Sequence, residues 1–231
     1  MLVLSWNLFH GRAVPEERRP LLSEFASRLA AWEWDIALLQ EVPPWWPPRL
    51  AAQCGADART ALTSRNWLLP ITRAIADRRP DLIKSWGGGA NAILVRGERI
   101  VEHRSRTLRR CPERRVVHGV RLERGWWVSN VHAQAHSESR AQADIAVASR
   151  TTVAWSLGGP AILGGDMNTR APAAPGFVSA AEHSVDHILL RGLGVRAPGR
   201  TLDRGTLSDH CPVLAEVGPW KDVPAEASLA A

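Results

Sequence analysis

The sequence predicts an α/β protein in which short buried strands end in polar side chains. Apolar runs such as residues 2–6 and 36–39 have the length of buried strands, and a segment with helical spacing lies between them. The chain has 231 residues, of which 45% are hydrophobic, enough to bury one large core. We expect a single domain over residues 1–220 and a frayed C-terminal tail over residues 221–231.

The first strand is predicted over residues 2–6, and a polar residue, Asn7, follows it directly. A helix over residues 16–32 comes next, because apolar side chains recur there at helical spacing. Pro15 and Pro20 suit the start of that helix, since proline is favoured in the first helical turn.

A second buried strand is predicted over residues 36–39. Gln40 and Glu41 end it, because the two prolines that follow Val42 forbid its continuation. If the first two strands are parallel neighbours, Asn7 and Glu41 emerge at one rim of the sheet.

The middle of the chain predicts three more strands. Residues 90–95 form one of them, and residues 116–122 and 126–131 form a hairpin. This hairpin delivers Asn130 and His132 to the end of a strand.

A helix is predicted over residues 138–155, followed by a buried strand over residues 161–163. Two glycines break that strand, and Asp166 and Asn168 come directly after them. The same arrangement of a buried strand followed by polar residues is therefore repeated in the second half of the chain.

Towards the C-terminus, apolar residues bracket Asp186 and His187, and Asp209 and His210 precede a last strand over residues 213–217. Turn formation explains any one of these polar positions on its own, and His187 is expected to be structural. It does not explain the recurring mixture of carboxylates, amides and imidazoles. That mixture suits Mg²⁺ binding and the stabilisation of charge on a phosphoryl oxygen.

The formal net charge is +6 and the sequence pI is about 10.4, which favours an anionic partner such as a phosphate diester. Nearly all of the positive charge is arginine, since the lysines are Lys84 and Lys221, so a bias of codon composition is an equal alternative. Cys54, Cys111 and Cys211 show no C-x-x-C spacing and support neither a disulfide framework nor a cysteine zinc site.

The N-terminus lacks the basic segment and the long apolar segment of a signal peptide. No run approaches the roughly 18 to 20 apolar residues of a transmembrane helix. We therefore expect a cytoplasmic monomer with no transmembrane segment and no obligate protein partner.

Seven short segments that follow one another along the chain carry a family resemblance: Trp6-Asn7, Leu39-Gln40-Glu41, Asn91-Ala92-Ile93-Leu94, Ser129-Asn130-Val131-His132, Gly165-Asp166-Met167-Asn168, Val185-Asp186-His187-Ile188 and Leu207-Ser208-Asp209-His210. In this order they resemble the motif set of the endonuclease/exonuclease/phosphatase superfamily, the deoxyribonuclease I-like metal-dependent phosphoesterases. Each motif is short, but the joint match spans nearly the whole chain. The resemblance implies an α+β fold, a four-layer α/β/β/α sandwich of two mixed β-sheets with the site on one rim.

The resemblance also implies roles for individual residues. Glu41 would be the main Mg²⁺ ligand, with Mn²⁺ as a substitute ion, and Asn7 and Asp209 would bind or orient the metal. Asp166 would activate or position the attacking water, and Asn168 would fix that water or contact the phosphate.

Two imidazoles complete the expected site. His210, oriented by Asp186, would stabilise the negative charge that develops on the phosphoryl oxygens. His132 matches a second phosphate-facing position, although the sequence identifies no carboxylate partner for it. Asn130 and Arg115 are the expected substrate-binding residues.

The shared motifs do not discriminate between nucleic-acid diesters, inositol phosphates and lipid head groups. Positive charge and arginine content favour a phosphodiester of nucleic acid, DNA or RNA, as the substrate. The alternatives are a small phosphomonoester or a phospholipid head group, and a non-catalytic domain that binds a partner through the same rim. The last is disfavoured, because the residues expected to perform the chemistry are all present.

Two features of the sequence leave their roles open. The six arginines from position 104 to position 115 form either a phosphate-tracking surface or a solvated loop or strand edge, and the second is favoured for the run as a whole. Trp45 and Trp46, shortly after Glu41, either stack on the substrate or pack under the rim.

Overall fold

The computed structural model describes residues 1–63 and 89–220 of the chain. In these two segments it has twelve β-strands and three α-helices. The strands are β1 (Leu2–Asn7), β2 (Ile36–Val42), β3 (Asp57–Leu62), β4 (Ala90–Val95), β5 (Ile100–Arg109), β6 (Arg115–Leu122), β7 (Trp127–His132), β8 (Ala161–Asp166), β9 (Val178–His183), β10 (Asp186–Arg191), β11 (Leu193–Thr201) and β12 (Val213–Pro219). The helices are α1 (Leu22–Ala31), α2 (Pro47–Cys54) and α3 (Glu138–Trp155).

The strands form two six-stranded mixed sheets. The first has the order β11-β12-β1-β2-β4-β3, and the second has the order β5-β6-β7-β8-β10-β9. Each sheet contains one parallel pair at its centre, β1 with β2 in the first and β7 with β8 in the second. A helix connects the two strands of each pair, α1 in one case and α3 in the other, as a parallel connection requires.

Three apolar clusters hold four layers together. Successive residues of a strand point to opposite faces, so Leu4 packs towards Phe25 of α1 while Val3 packs into the cluster between the sheets. In the second sheet, Leu163 packs against the side of α3 that carries Ile145. The expected four-layer α/β/β/α sandwich is therefore confirmed.

Several predicted elements have different bounds in the structure. The first helix begins at Leu22 and not at residue 16, because Pro20 stands directly before the turn that starts it. Strand β2 continues through Glu41 to Val42, and strand β8 continues through Gly164 and Gly165 to Asp166. The glycines do not break β8, since both pair with strand β10.

Six of these strands and helices were not predicted from the sequence: α2, β3, β5, β9, β10 and β11. Strands β3, β5, β9 and β11 lie at the edges of the two sheets, where one side of the strand has no neighbouring strand among the described residues. Their sequences are largely exposed and polar and lack the apolar runs that marked the central strands. The expected tail over residues 221–231 lies outside the described residues. No helix in the described segments is both long and apolar enough to cross a membrane.

Arg96 joins both helices of the first outer layer to the sheet. Its guanidinium donates to the carbonyl oxygens of Cys54 (2.9 Å), Trp32 (3.0 Å), Trp34 (3.4 Å) and Leu29 (3.4 Å). It also lies 3.6 Å from the ring centroid of Trp34. The carbonyls of Leu29, Trp32 and Cys54 lie at the C-terminal ends of α1 and α2, where backbone acceptors have no partner within their helix, and Trp34 lies in the connection from α1 to β2.

We expect Arg96→Met to lower the free energy of unfolding by about 2 to 4 kcal/mol, because several partly buried carbonyls would lose a charged donor. Arg96→Lys should recover only part of that loss, since an ammonium cannot match the planar guanidinium. Urea unfolding measures both effects. Arg99→Met on the neighbouring turn is the control, because Arg99 is 70% exposed and pairs with Glu123 at the surface. Equal stabilities of Arg96→Met and Arg99→Met would contradict the assignment.

His118 is fully buried on β6, and its Nδ1 lies 3.3 Å from Nε2 of His103. Burial, and then the charge of His103, lowers the pKa of His118 to about 3 from 6.5. The unfolded chain therefore binds a proton here at a pH where the folded protein does not. The resulting stability is fully present above pH 6.5 and is lost as the pH falls towards 3.

When the pH falls from 7.5 to 5, proton uptake by His118 in the unfolded chain should lower the unfolding free energy by about 2 kcal/mol. We expect His118→Asn to remove that part of the pH dependence, whatever its effect on stability at pH 7.5. Urea unfolding of both proteins at the two pH values measures the difference. If wild type and variant lose the same unfolding free energy between the two pH values, His118 takes up its proton equally in the folded and the unfolded state.

Candidate active site

The two parallel strand pairs end at the same rim of the sandwich. Asn7 is the register partner of Gln40 at the end of the first pair, and His132 is the partner of Asp166 at the end of the second. The Asn7 side chain then joins the sheets, because its Nδ2 donates to Oδ2 of Asp166 at 2.9 Å. Glu41 follows Gln40 directly, so both halves of the sequence contribute carboxylates to one place.

Glu41 lies in a bulge of strand β2. Its φ is +49°, and the register with β4 shifts between Leu39 and Val42. This irregularity turns its partly exposed carboxylate towards two histidines. Oε2 lies 3.1 Å from Nε2 of His10, and Oε1 lies 3.8 Å from Nε2 of His132. A bulge that re-aims a side chain is a common device beside active sites.

The turn after β1 brings His10 to Glu41. Phe9, His10 and Gly11 all have left-handed backbones, with φ of +50°, +54° and +77°. Asn7 holds the turn, since its Oδ1 accepts from the Phe9 N–H at 2.9 Å. A Cβ on Gly11 would lie 2.3 Å from the Trp46 ring, so only glycine fits there. His10 was not predicted as a site residue. The sequence feature that could have indicated it is the His-Gly pair that begins three residues after Asn7, the asparagine at the end of β1.

Asp166 is buried, and both of its oxygens accept hydrogen bonds. Oδ2 accepts from Asn7, and Oδ1 accepts from the backbone N–H of Asn168 at 2.9 Å. Burial, and then the charge of Asp186, raises the pKa of Asp166 to about 7. The Asn168 amide donates to the carbonyl of Ala133 at 3.1 Å, which fixes the turn that follows β8.

His210 forms a tight pair with Asp186, with 2.7 Å between Nδ1 and Oδ2. Burial lowers the His210 pKa, but the hydrogen bond to Asp186 and the charges of Asp186, Asp166 and Asp209 outweigh it and raise the pKa to about 9. The ring is therefore cationic at neutral pH. Its Nε2 points to the site and lies 3.8 Å from Oδ2 of Asp166.

The loop that carries His210 is tied to the end of β1. Ser208 Oγ donates to the Asn7 carbonyl at 2.6 Å and accepts from the His210 N–H at 3.1 Å. The indole of Trp6 donates to the His210 carbonyl at 3.0 Å. Asp209 lies between Ser208 and His210 in the sequence. Its side chain is 42% exposed, and its Oδ1 lies 3.9 Å from Nε2 of His210.

His132 is buried and uncharged at neutral pH. Burial, followed by the positive charges of Arg115, His210 and His10, holds its pKa well below the ordinary value. Its Nε2 lies 3.5 Å from Oδ2 of Asp166. The sequence identified no carboxylate partner for His132, and residues 64–88 lie outside the described residues.

Five of the residues described above line one wall of a cavity of about 720 Å³: His10, Glu41, His132, Asp209 and His210. The rest of the wall is basic and aromatic, with contributions from Arg12, Arg115, Arg140 and Phe9. The Arg12 guanidinium stacks 3.6 Å from the Phe9 ring centroid. The buried Arg115 pairs with Glu113 at 2.5 Å, and its Nε has no hydrogen-bond partner within the described part of the chain.

Asn130 lies apart from the cavity, although it was expected to bind substrate. It is fully buried, and its Nδ2 donates to the carbonyls of Leu39 and Ala92, both at 2.9 Å. Its Oδ1 accepts from Gln40 at 2.8 Å. These bonds use both donor hydrogens of the amide and connect the two sheets. His187 is also buried and bonds the Thr169 carbonyl, as expected for a structural residue.

The arginine run extends from the edge strand β5 through the turn that follows it to Arg115, the first residue of β6. Arg104 pairs with Glu102, Arg106 donates to Thr151, and Arg109 forms a 2.8 Å ion pair with the buried Asp144. These three arginines serve the fold, which supports the strand-edge interpretation for this part of the run.

The two tryptophans near Glu41 both pack under the rim. Trp46 is 6% exposed, and its ring centroid lies 5.5 Å from that of Phe25. Trp45 is partly buried against the same apolar cluster.

The donor set fits a divalent cation. Asp166, Asp186 and His210 have ligand atoms within 4.8 Å of one another, but Asp186 is engaged by the imidazole of His210. Glu41, Asp209 and Glu113 are the carboxylates of the described residues that line the cavity, and Glu113 is paired with Arg115. The buried carboxylate of Asp166 lies behind Glu41 and Asp209. Such an oxygen-rich, negatively charged wall suits Mg²⁺ or Mn²⁺.

Comparison with known proteins agrees with this arrangement. The family model described as the Endonuclease/Exonuclease/phosphatase family matches residues 4–210. Comparison with curated proteins gives no match.

Three solved structures illustrate the similarity of fold. A functionally unknown conserved protein from Enterococcus faecalis is 16% identical, with a TM-score of 0.71 over 95% of this chain and 100% of that one. A mannosyl-6-phosphatase from Bacteroides thetaiotaomicron is 16% identical, with a TM-score of 0.63 over 94% and 99% of the two chains. TDP2 from Caenorhabditis elegans is 16% identical, with a TM-score of 0.64 over 93% and 73%.

At these identities the solved structures show the fold, whereas the family model covers most of the chain and includes the residues at the rim. The chain belongs to the endonuclease/exonuclease/phosphatase family, a superfamily of phosphoric ester hydrolases.

Proposed function

We propose that the chain is a Mg²⁺-dependent phosphodiesterase, with Mn²⁺ as a substitute ion, and that its substrate is a strand of nucleic acid. The observation that carries the proposal is the meeting of Glu41, Asp166 and the His210–Asp186 pair at one rim, beside a basic cavity. This rim places a carboxylate acceptor and a cationic imidazole within 4 Å of each other. Hydrolysis of a phosphoester needs both, one to take a proton from water and one to stabilise charge.

Glu41 and Asp209 are the residues that would hold the cation from the cavity wall. When bound, the ion would neutralise charge on the phosphate and on the leaving oxygen. Asn7 has both ends of its amide engaged, by the Phe9 N–H and by Asp166, so we assign it mainly the orientation of Asp166. Its carbonyl oxygen retains a second lone pair towards the cation.

Asp166 is the proposed acceptor of the water proton. Attack by water forms a bond from the water oxygen to phosphorus, breaks the bond to the leaving oxygen and passes a proton to Oδ2. A pKa of about 7 suits this role, because a general base is most effective when its pKa lies near the working pH. Asn168 holds the carboxylate through its backbone N–H, and we assign it that positioning role.

Three cationic or neutral donors would contact the phosphoryl oxygens. His210 supplies a positive N–H from Nε2, since its other nitrogen is held by Asp186. His132 supplies a neutral imidazole, and Arg115 supplies a guanidinium from the cavity wall. The two imidazoles therefore have different charges, which leaves His210 as the main stabiliser of developing negative charge.

Nucleic acid is favoured as the substrate class because the cavity continues past the rim. Arg12 and Arg140 lie on the same wall as Arg115 and suit further phosphates of a strand. The Phe9 ring also lines the cavity, with the Arg12 guanidinium stacked on it. Proteins of this fold include one named as a sugar phosphatase, so a small phosphomonoester or a phospholipid head group is the alternative to be tested.

The test compares labelled single-stranded DNA, duplex DNA and RNA with bis-p-nitrophenyl phosphate, p-nitrophenyl phosphate and a phosphocholine ester, each with Mg²⁺. We expect nucleic acid to be cleaved with the highest kcat/KM, and Arg115→Gln to lower that value at least about tenfold. Arg106→Gln is the control, because Arg106 bonds Thr151 outside the cavity wall. Faster turnover of the monoester would replace the nucleic-acid proposal with the phosphatase alternative. Absence of turnover on every substrate would indicate a non-catalytic domain.

A further inference from the structure

His10 lies on the cavity wall beside Glu41 and is not part of the family motifs. Its side chain is only 15% exposed, and its ring is directed at the partly exposed carboxylate of Glu41. The 3.1 Å separation joins Nε2 to Oε2, so the ring presents its outer nitrogen. A histidine that merely packs under the rim would not need to present this atom to a cavity-facing carboxylate.

The backbone around His10 is built to place that ring. Phe9 and His10 adopt left-handed conformations that ordinary residues rarely take up, and Gly11 follows in the same region. The turn is fixed from both sides, by the Gly11 N–H to the Leu8 carbonyl at 2.8 Å and by the Ser208 N–H to the Arg12 carbonyl at 2.9 Å. Strained backbones of this kind persist where the surrounding structure holds them, often at functional sites.

We propose that His10 is a ligand of the divalent cation, acting with Glu41 through Nε2. This inference rests on the proposed function and deepens it. Two donors at right angles on an ion with bonds of about 2.1 Å lie about 3 Å apart. His10 and Glu41 have that spacing. Nε2 of His132 lies 3.8 Å from the other carboxylate oxygen of Glu41, Oε1, which is too far for two ligands at right angles on one ion.

A nitrogen ligand changes the metal preference of the site. Mg²⁺ favours oxygen donors, whereas Mn²⁺ accepts imidazole more readily. A site with carboxylates alone would discriminate little between the two ions. Loss of His10 should therefore weaken the binding of Mn²⁺ more than the binding of Mg²⁺.

Electron spin-echo spectroscopy of wild-type protein with one equivalent of Mn²⁺ tests the proposal without any assay of activity. We expect modulation from a directly bound imidazole nitrogen, which should change when histidine is labelled with ¹⁵N. His10→Gln should abolish this modulation and raise the Kd for Mn²⁺ about tenfold or more, with a change of less than about threefold for Mg²⁺. His136→Gln, an exposed histidine on the same cavity, is the control and should leave the signal unchanged.

Nitrogen modulation that survives in His10→Gln, or that is absent from wild type, overturns the ligand assignment. The proposed function then still stands if the protein binds Mg²⁺ and hydrolyses a phosphodiester. Failure of wild type to bind either ion or to hydrolyse any substrate overturns the proposed function itself. If His10→Gln does not fold, His132→Gln and His210→Gln replace it. The modulation must persist in both, and its loss in either one contradicts the role of His10.

Discussion

Asp166→Asn is expected to lower the turnover of bis-p-nitrophenyl phosphate at least about 10³-fold at saturating Mg²⁺. The amide keeps the shape of the carboxylate but cannot accept the proton of the attacking water. The assignment depends on Asp166 alone, because Asp186 is engaged by His210 and Glu41 is the proposed ligand of the cation. Steady-state kinetics on the purified variant measures the loss.

The fold should survive this substitution, because two effects on stability oppose each other. The pKa of this carboxyl is raised from 3.8 to about 7 on folding, so removing it stabilises the folded state increasingly from pH 3.8 upwards and fully above pH 7. Against this, the new amide must turn one N–H towards a donor, either Asn7 or the backbone of Asn168. A donor facing a donor costs about 1 to 3 kcal/mol, so we expect the two effects largely to cancel.

Asp144→Asn is the matched control, since Asp144 is a buried carboxylate that pairs with Arg109 and is not among the residues that line the cavity. It should lose stability and keep turnover per folded molecule, the reverse of Asp166→Asn. Turnover of Asp166→Asn within tenfold of wild type would show that another group takes the proton.

Gly165→Ala is expected to cost about 4 kcal/mol or more of unfolding free energy, enough to leave little folded protein. Gly165 has a φ of +138°, and a Cβ there would lie 1.9 Å from the carbonyl oxygen of Val131. That oxygen belongs to the neighbouring strand of the parallel pair, so the backbone itself would have to move. Because Asp166 is the next residue, any movement also displaces the proposed base.

Gly125→Ala separates two effects that Gly165→Ala combines, the steric overlap of the new Cβ with a neighbouring strand and the strain of a positive φ. Gly125 also has a positive φ, of +91°, but nothing lies within 4 Å of the position of its Cβ. We expect a loss of only about 1 to 2 kcal/mol there. Soluble yield and urea unfolding of the two variants measure the difference. Equal losses would mean that the close approach of β7 to Gly165 does not constrain the fold.

The central strands and the rim residues that follow them were predictable from the sequence. Buried strands carry apolar runs, and polar residues such as Asn7, Asp166 and His210 stand directly at the ends of those runs or just beyond them. Parallel pairing then brings Asn7 beside Gln40 and His132 beside Asp166. The family resemblance supplied the four-layer arrangement, which no local pattern encodes.

The remaining features depend on contacts between distant residues. The bulge at Glu41 arises from its pairing with β4, and the sequence shows only a strand that meets two prolines. The burial of Asn130 between the sheets follows from carbonyls on two other strands, at Leu39 and Ala92. His10 carries no periodic signal, and its significance depends on the distance to Glu41 across a left-handed turn.

The central claim, that the rim binds a divalent cation through Glu41 and uses it to hydrolyse phosphodiesters, has one direct test. Hydrolysis of bis-p-nitrophenyl phosphate and Mg²⁺ affinity are measured for wild type, Glu41→Gln and the exposed control Glu182→Gln. We expect EDTA to abolish wild-type turnover, Mg²⁺ to restore it, and Glu41→Gln to lose at least about 100-fold in turnover together with its Mg²⁺ affinity. Wild-type turnover that persists in EDTA, or unchanged Mg²⁺ affinity in Glu41→Gln, would contradict the claim.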